Sequence, residues 1–344
     1  MNGRRWFDSQ DKVVPLAGVP RLLIELAERR GAPRPLLLRG TGIFDQDLRQ
    51  PGHCISADQL LRLVANARRL AQGADLPFLL GHRLVGAQGG PLAELLHASP
   101  DLRRALVNLG RFRALWQPLM TILVQWSAER IHLQLLPVVE LGDEATFIQD
   151  CLLTALAALI RQGLRQPPQL QVQLGYDAPR QLAQHQQHLG QHLEFGAACT
   201  GLSLARHHLQ QRWPDHCPAD YQQQLALCRQ LWRPSAHSIG LLEWTLRWQR
   251  RHLRPHLRQN LTIDHCAAAA GVSTATLKRC LQRQGTSYQQ LGDELRKQLA
   301  LHRLATSLCS NEQLAHELGY SDGHNFRRSC KRWTGLLPSM LRQV

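Results

Sequence analysis

Two stretches in the last hundred residues repeat one local pattern, and the repeat leaves few folds open. The first is CAAAAGVSTATLKR, Cys266 to Arg279; the second is NEQLAHELGYSDGHNFRR, Asn311 to Arg328. Each has an apolar helical run, a glycine, a large or branched plug, a serine and then a second helix ending in basic residues. Gly271 and Gly319 suit the left-handed backbone that a tight interhelix turn needs. Val272 and Tyr320 plug the turns, and Ser273 and Ser321 read as caps of the helices that follow. This is the helix-turn-helix pattern. Two copies in tandem give one chain the means to reach two stretches of DNA major groove.

The flanking residues fill out both motifs. Thr262 reads as a cap before Ile263, and Leu277, Cys280 and Leu281 face inward. Thr274, Ala275, Lys278, Arg279, Gln282 and Arg283 are then left to face the groove or its phosphates. Gly285 ends that helix. Thr286 or Ser287 caps a long helix through Ser307, whose stripe of Tyr288, Leu291, Leu295, Leu299, Leu301 and Leu304 marks a spacer between the motifs. In the second motif Ser310 caps, and Leu314, Ala315 and Leu318 turn inward. His324, Asn325, Arg327, Arg328, Lys331 and Arg332 surround Phe326 and Trp333. Asn pairs bidentately with adenine and Arg with guanine, so His324, Asn325 and Arg328 read as base contacts. Lys331 and Arg332, a turn further on, read as phosphate contacts. The bland alternative is a charged face on an ordinary helical bundle.

Charge follows the motifs. The 344 residues carry a formal net charge of +15. Between Arg250 and Val344 stand 15 Lys and Arg against 6 Asp and Glu, so +9 of it lies in little more than a quarter of the chain. That is the electrostatic footprint of a polyanionic partner. Arginine supplies nearly all of it, because the lysines are only Lys12, Lys278, Lys297 and Lys331.

Other classes find little support. The nine cysteines are odd in number, scattered and without a CxxC, which predicts buried thiols rather than disulfides. His-Cys neighbours at 53–54, 216–217 and 265–266 lack zinc spacing, so no metal or other cofactor is expected. Glu140, Asp143 and Glu144 cluster, yet acids favour a helix start. No triad, phosphate loop or metal-spaced set points to an enzyme. The polar N-terminus runs into no long apolar core, and the run Cys151–Ile160 is too short for a bilayer, so neither a secretory signal nor a membrane partner is expected.

Upstream of the motifs the pattern is mixed. Residues 1–19 read as a loose lead-in. Helices are predicted over Pro20–Arg30, from a Ser56 cap through Gln72, over Gly81–Leu96 with a break at Gly89-Gly90-Pro91, and from Ser99-Pro100-Asp101 toward Trp116. Runs at Thr121–Trp126 and Ile131–Pro137 read as a hairpin. Asp143–Gln162 is helical with one apolar face, and Gln169–Leu174 alternates as a strand does. Leu189–Phe195 and Gly201–Ala205 are further strands. His185, His188, His192, His207 and His208 read as solvated. Residues 235–250 form an amphipathic helix that opens a second domain. The expected fold is an α+β domain over 1–234 and an all-α domain over 235–344, with two helix-turn-helix motifs joined by a linker helix.

LGYSDGHNFRRSCKRWTGLLPSMLR, Leu318 to Arg342, resembles the signature of the AraC/XylS family of bacterial transcription regulators. The matching residues include Gly319, Tyr320, Ser321, Phe326, Arg328, Lys331, Arg332, Trp333, Thr334, Gly335 and Pro338. GVSTATLKRCLQRQGTSYQQL, Gly271 to Leu291, resembles the family's first motif and its run into the linker helix. Two positions depart from the pattern. Ala275 stands where relatives often have Arg, and Cys330 where they usually have Phe. The helix entered at Ile55-Ser56 and the segments 92–106 and 193–209 resemble the sensing domain of the subgroup that includes regulators of ornithine, arginine-related and virulence genes. A mostly helical first 120 residues speaks against the arabinose-type jelly roll.

The resemblance implies a cytoplasmic, sequence-specific transcription regulator that responds to an effector; activation is the commoner mode in the family, and the sequence itself does not separate activator from repressor. It implies promoter DNA and RNA polymerase as partners, with a small-molecule effector and a homodimer. The effector, its pocket residues and the operator are not readable from the chain. An architectural DNA-binding protein without effector is the alternative.

Overall fold

A computed structural model describes residues 6–50, 52–116, 119–164, 166–214, 216–231, 239–253, 261–306 and 309–342. It separates into two compact units, Ser9–Ser238 and a second that joins Trp6–Asp8 to Ile239–Val344. The expected boundary at 234–235 and the last residue expected in the long helix, Ser307, lie outside the described residues.

The Ser9–Ser238 unit is α+β. β1 (Lys12–Pro15) pairs antiparallel with β2 (Cys54–Ser56), and α1 (Val19–Arg29) and α2 (Arg34–Leu38) lie between them in sequence. The helices α3 (Ala57–Leu70), α4 (Leu76–Val85), α5 (Gly90–His97) and α6 (Leu102–Phe112) follow. Their starts are locally encoded. Ser56 and Gln59 form a reciprocal capping box on α3, and the Asp101 carboxylate accepts the Arg104 N–H at 2.7 Å on α6.

β3 (Met120–Trp126) and β4 (Arg130–Pro137) form the expected hairpin. β5 (Gln171–Leu174), β6 (Leu193–Phe195) and β7 (Gly201–Ala205) complete a five-stranded sheet in the order β3-β4-β7-β5-β6, antiparallel except for β5 beside β6. Ile131, Leu133 and Leu135 are buried with Leu202, Leu204, Val172 and Leu174, the alternation of strands with one dry face. Among the described residues this is one open sheet, not a jelly roll.

α7 (Ala145–Gly163) is buried around nearly its whole circumference, where its sequence predicts a single apolar face. Its polar members Asp150 and Thr154 are hydrogen-bonded inside the unit, which is why they do not mark a solvent face. Gly81 lets α4 lie directly on α7, since a Cβ there would collide with the Cys151 carbonyl and stand 2.7 Å from the Thr154 Cβ. α8 (Ala183–Leu189) and α9 (Pro218–Leu231) complete the unit.

The histidine reading needs correction. His192 and His207 are exposed, but His185 and His188 on α8 are only 7% and 9% exposed. Phe78 stacks on His188 with ring planes 9° apart, and His82 Nε2 meets His188 Nδ1 at 3.0 Å. Tyr176 donates its hydroxyl to Asp150, and His185 Nε2 lies 3.1 Å from the same hydroxyl. Polar composition predicted solvation; rings from α4 and from Tyr176 just after β5 supplied a burial site that no local pattern shows.

Burial pushes His82 and His188 below the ordinary histidine range, with Arg161 adding to both. Both rings are therefore neutral in the fold at pH 7. The unfolded chain takes up protons near pH ~6.5 while the folded rings resist them. Their contribution is complete above that pH and lost as pH falls below it. Urea unfolding of the full chain at pH 7.5 and pH 5.5 is expected to show lower stability at the acid value. His188→Gln is expected to flatten that difference; an unchanged pH slope would assign it to other groups.

In the second unit α10 (Leu241–His252) is followed by α11 (Ile263–Ala270), α12 (Thr274–Arg283), α13 (Tyr288–Thr306), α14 (Asn311–Glu317), α15 (Gly323–Thr334) and α16 (Pro338–Leu341). Two separate cores stabilise it. One gathers Leu241, Leu242, Cys266, Ala267, Ala270, Leu277 and Leu281. The other gathers Ala300, Leu304, Leu314, Leu318, Phe326 and Cys330. Tyr288 and Leu291 at the start of α13 pack on the first core, and Leu299 with Ala300 and Leu304 near its end on the second. α13 thus serves both motifs.

Trp6 and Phe7 are fully buried rather than part of a loose lead-in. Trp6 belongs to the first core. The Phe7 N–H donates to the Ile239 carbonyl at 2.9 Å, and the Leu241 N–H donates back to the Phe7 carbonyl at 3.1 Å.

Candidate nucleic-acid interface

The first motif is built as its residues predict. The Thr262 hydroxyl caps α11 by accepting the His265 N–H. Gly271 takes φ 71°, ψ 28°, and the Val272 N–H returns to the Ala267 carbonyl at 3.1 Å, which closes the turn. The Ser273 hydroxyl accepts the Thr276 N–H and starts α12. With Leu277, Cys280 and Leu281 buried, Ala275, Lys278, Arg279 and Gln282 form the outer face of α12.

Two residues expected on that face stand at its flanks. Thr274 donates its hydroxyl to Asp264 Oδ1 at 2.7 Å. Arg283, half exposed, donates to Asp8 Oδ2 at 2.9 Å and to Cys280 Sγ at 3.2 Å. Gln284 donates to the other Asp8 oxygen at 2.9 Å, so the buried Asp8 carboxylate is satisfied on both sides. An N-terminal acid meeting a C-terminal helix has no signature in local spacing.

The second motif repeats the plan with one shift. Ser310 and Gln313 form a capping box on α14. Gly319 has φ 86°, and the Tyr320 N–H reaches back to the Ala315 carbonyl at 2.9 Å. The cap of α15 is Asp322, not Ser321: its Oδ1 accepts the Asn325 N–H at 2.7 Å, and Ser321 donates to its Oδ2. An acid three residues before Asn325 was the signal for this cap. Those hydrogen bonds hold the Asp322 carboxyl below the usual carboxylate range.

α15 buries Gly323, Phe326, Ser329 and Cys330 and leaves His324, Asn325, Arg327, Arg328, Lys331 and Arg332 exposed. At 3.6 residues per turn Arg328 falls near the middle of the outer face. Asn325 and Arg332 lie to one side and His324 and Lys331 to the other. Asn325 donates its amide to Ser321 Oγ at 2.8 Å and Asp322 Oδ2 at 3.0 Å, so its donors serve the cap while its amide oxygen is not part of that pair of bonds. Arg332 reaches Asp293 at 3.3 Å, and Arg327 leans to the Gly323 carbonyl at 3.4 Å. Tyr320, Ser321, Asn325, Arg328 and Arg332 line one shallow groove. Arg303 clamps Glu317 through two hydrogen bonds of 3.0 and 2.7 Å, which ties α14 to α13.

The outer faces of α12 and α15 are thus rows of hydrogen-bond donors on helices whose opposite sides are fixed in a core. Such rows suit phosphate oxygens and guanine edges. Among the described residues no group of three His, Cys, Asp or Glu side chains could hold a metal ion, and no helix is long and apolar enough to cross a membrane.

Residues 266–343 match a helix-turn-helix domain family. Residues 31–213, more than half of the chain, match the family described as the arabinose-binding domain of AraC transcription regulator, N-terminal. The chain belongs to the AraC/XylS family of transcription regulators. It is a sequence-specific DNA-binding regulator of this type and not an enzyme.

Among its relatives is the ornithine utilization regulator of Pseudomonas aeruginosa, 27% identical over 337 residues that cover 97% of each chain. Another is an uncharacterized HTH-type transcriptional regulator of Mycobacterium tuberculosis, 23% identical over 93% of each chain. A solved structure, that of the transcriptional regulator CdpR from Pseudomonas aeruginosa, aligns over 94% of this chain and 97% of its own, with 19% identity and a TM-score of 0.42. The N-terminal domain of this AraC/XylS regulator resembles that of the ornithine-regulator subgroup.

Proposed function

We propose that the chain is an effector-responsive activator in which α15 carries most of the sequence discrimination and α12 adds a weaker second contact. The outer face of α15, centred on Arg328, is the observation that carries this reading. There His324, Asn325 and Arg328 take base edges, while Arg327, Lys331 and Arg332 hold phosphate. On α12 Lys278 and Arg279 reach the groove, and Thr274 and Arg283 support it from the flanks. Ala275 gives this helix one donor fewer than relatives often have.

The Ser9–Ser238 unit binds a small effector and supports a homodimer. Effector binding shifts the population toward the DNA-competent arrangement, which then contacts RNA polymerase in the cytoplasm. Ornithine utilization belongs to the named relative and does not by itself assign this chain's effector.

Genome-wide mapping of bound sites, followed by footprinting, tests the proposal. The expected result is a small set of promoter sites with two protected major-groove stretches about one helical turn apart. Uniform occupancy with slight sequence preference would support the architectural reading instead.

A further inference from the structure

We infer that Asp322, by holding the amide of Asn325, limits that side chain to accepting a hydrogen bond, so that α15 reads the exocyclic amino group of adenine or cytosine there rather than adenine alone. This rests on reading α15 as the discriminating helix and adds which base group it recognises.

The amide is closed on one side. Asn325 Nδ2 donates to Ser321 Oγ at 2.8 Å and to Asp322 Oδ2 at 3.0 Å, which uses both of its N–H groups. Ser321 donates its own hydroxyl to Asp322 Oδ2 at 2.9 Å, so the three side chains form a ring. Charge sets the direction of the amide. Turned over, its carbonyl oxygen would face a carboxylate, and the cap bonds keep Asp322 ionised. The planar group then turns Oδ1 away from the cap. Asn325 is exposed and lines the same shallow groove as Arg328.

Pairing with adenine through two bonds needs one donor and one acceptor from the amide, the donor for N7 and the acceptor for the N6 amino group. Here only the acceptor is left. In the major groove adenine N6 and cytosine N4 each present an amino hydrogen, while guanine O6 and thymine O4 present lone pairs. An acceptor therefore takes A·T and C·G alike and is repelled by both reversed pairs. Asn325 and Arg328 lie three residues apart on one helix, which places their Cβ atoms ~5–6 Å from each other. Base pairs stack every ~3.4 Å, so the amino group falls within about two base pairs of the guanine that Arg328 takes.

Selection of binding sites from randomised duplexes by the full-length protein, followed by titration of the selected site, tests this. The wild-type motif is expected to hold one position, near the guanine whose selection Arg328→Ala abolishes, that takes A·T and C·G about equally. Asn325→Ala is expected to lose the preference at that position and at no other. Replacing the adenine there with purine 2′-deoxyriboside, which lacks the 6-amino group, is expected to weaken the wild type about two- to tenfold, the effect of one hydrogen bond, and to leave Asn325→Ala unaffected. Asp322→Ser keeps a capping oxygen on α15 and frees one amide N–H, so its motif is expected to narrow to A·T at this position. A·T alone in the wild-type motif, an unchanged motif for Asn325→Ala, or indifference of the wild type to the purine would each overturn the inference, as would an Asp322→Ser motif identical to the wild type's. Should Asp322→Ser fold poorly, the purine substitution on the wild type still decides. Enrichment of no motif at all would remove the sequence-reading role of α15 and the inference with it, an outcome distinct from a clear motif that ignores Asn325.

Discussion

Arg328→Ala is expected to lower affinity for a mapped promoter site by roughly 5- to 150-fold, the ~1–3 kcal/mol of one bidentate base contact, while changing affinity for random DNA little. The position decides this. Arg328 lies near the middle of the outer face of α15 and lines the groove beside Tyr320. Its neighbours have other attachments: Arg332 to Asp293, Asn325 to the Asp322 cap, Arg327 to the Gly323 carbonyl. Lys331→Ala is the natural comparison, expected to weaken all DNA about equally and to reduce the salt slope by about one. Gel-shift titrations on specific and scrambled duplexes at several salt concentrations give both quantities. Equal losses on the two duplexes for Arg328→Ala would remove its base-reading role.

Trp6→Ala is expected to destabilise the DNA-binding unit by about 3–5 kcal/mol, as large-to-small changes in a closed core do. Trp6 is fully buried against Leu241, Leu242 and the α11–α12 pair, far from where its position in the chain suggests. DNA affinity and the urea midpoint of the full-length protein should fall together. Trp6→Phe should restore most of both by refilling the space. A change in unfolding below about 1 kcal/mol would mean that the first core closes without the N-terminal segment.

Both motifs were legible because their grammar is local. A left-handed glycine, a plug one residue later and a hydroxyl cap act within a few residues of chain, and Gly271, Val272 and Ser273 take those roles. Even the misassigned cap moved only from Ser321 to Asp322, since both can accept a hydrogen bond at the start of α15. The hairpin β3–β4 and the Ser56 cap were read for the same reason. Where partners come from distant segments, the local reading failed. His185 and His188 looked solvated because glutamines surround them, yet Phe78, His82 and Asp150 from α4 and α7 enclose them. Arg283, read as a groove contact, also pairs with Asp8 from the other end of the chain, a partner that no local pattern shows.

The tandem motifs, their caps, the charge gathered after Arg250 and the family membership follow from order along the chain, because short-range hydrogen bonds and helical period need no distant partner. Tertiary structure alone decided which candidate contacts stay on the outer faces of α12 and α15, which rings are buried with α8, and that Trp6 closes the first core. Those outcomes depend on packing between segments up to hundreds of residues apart, and the burial that sets their energies exists only once the segments have met.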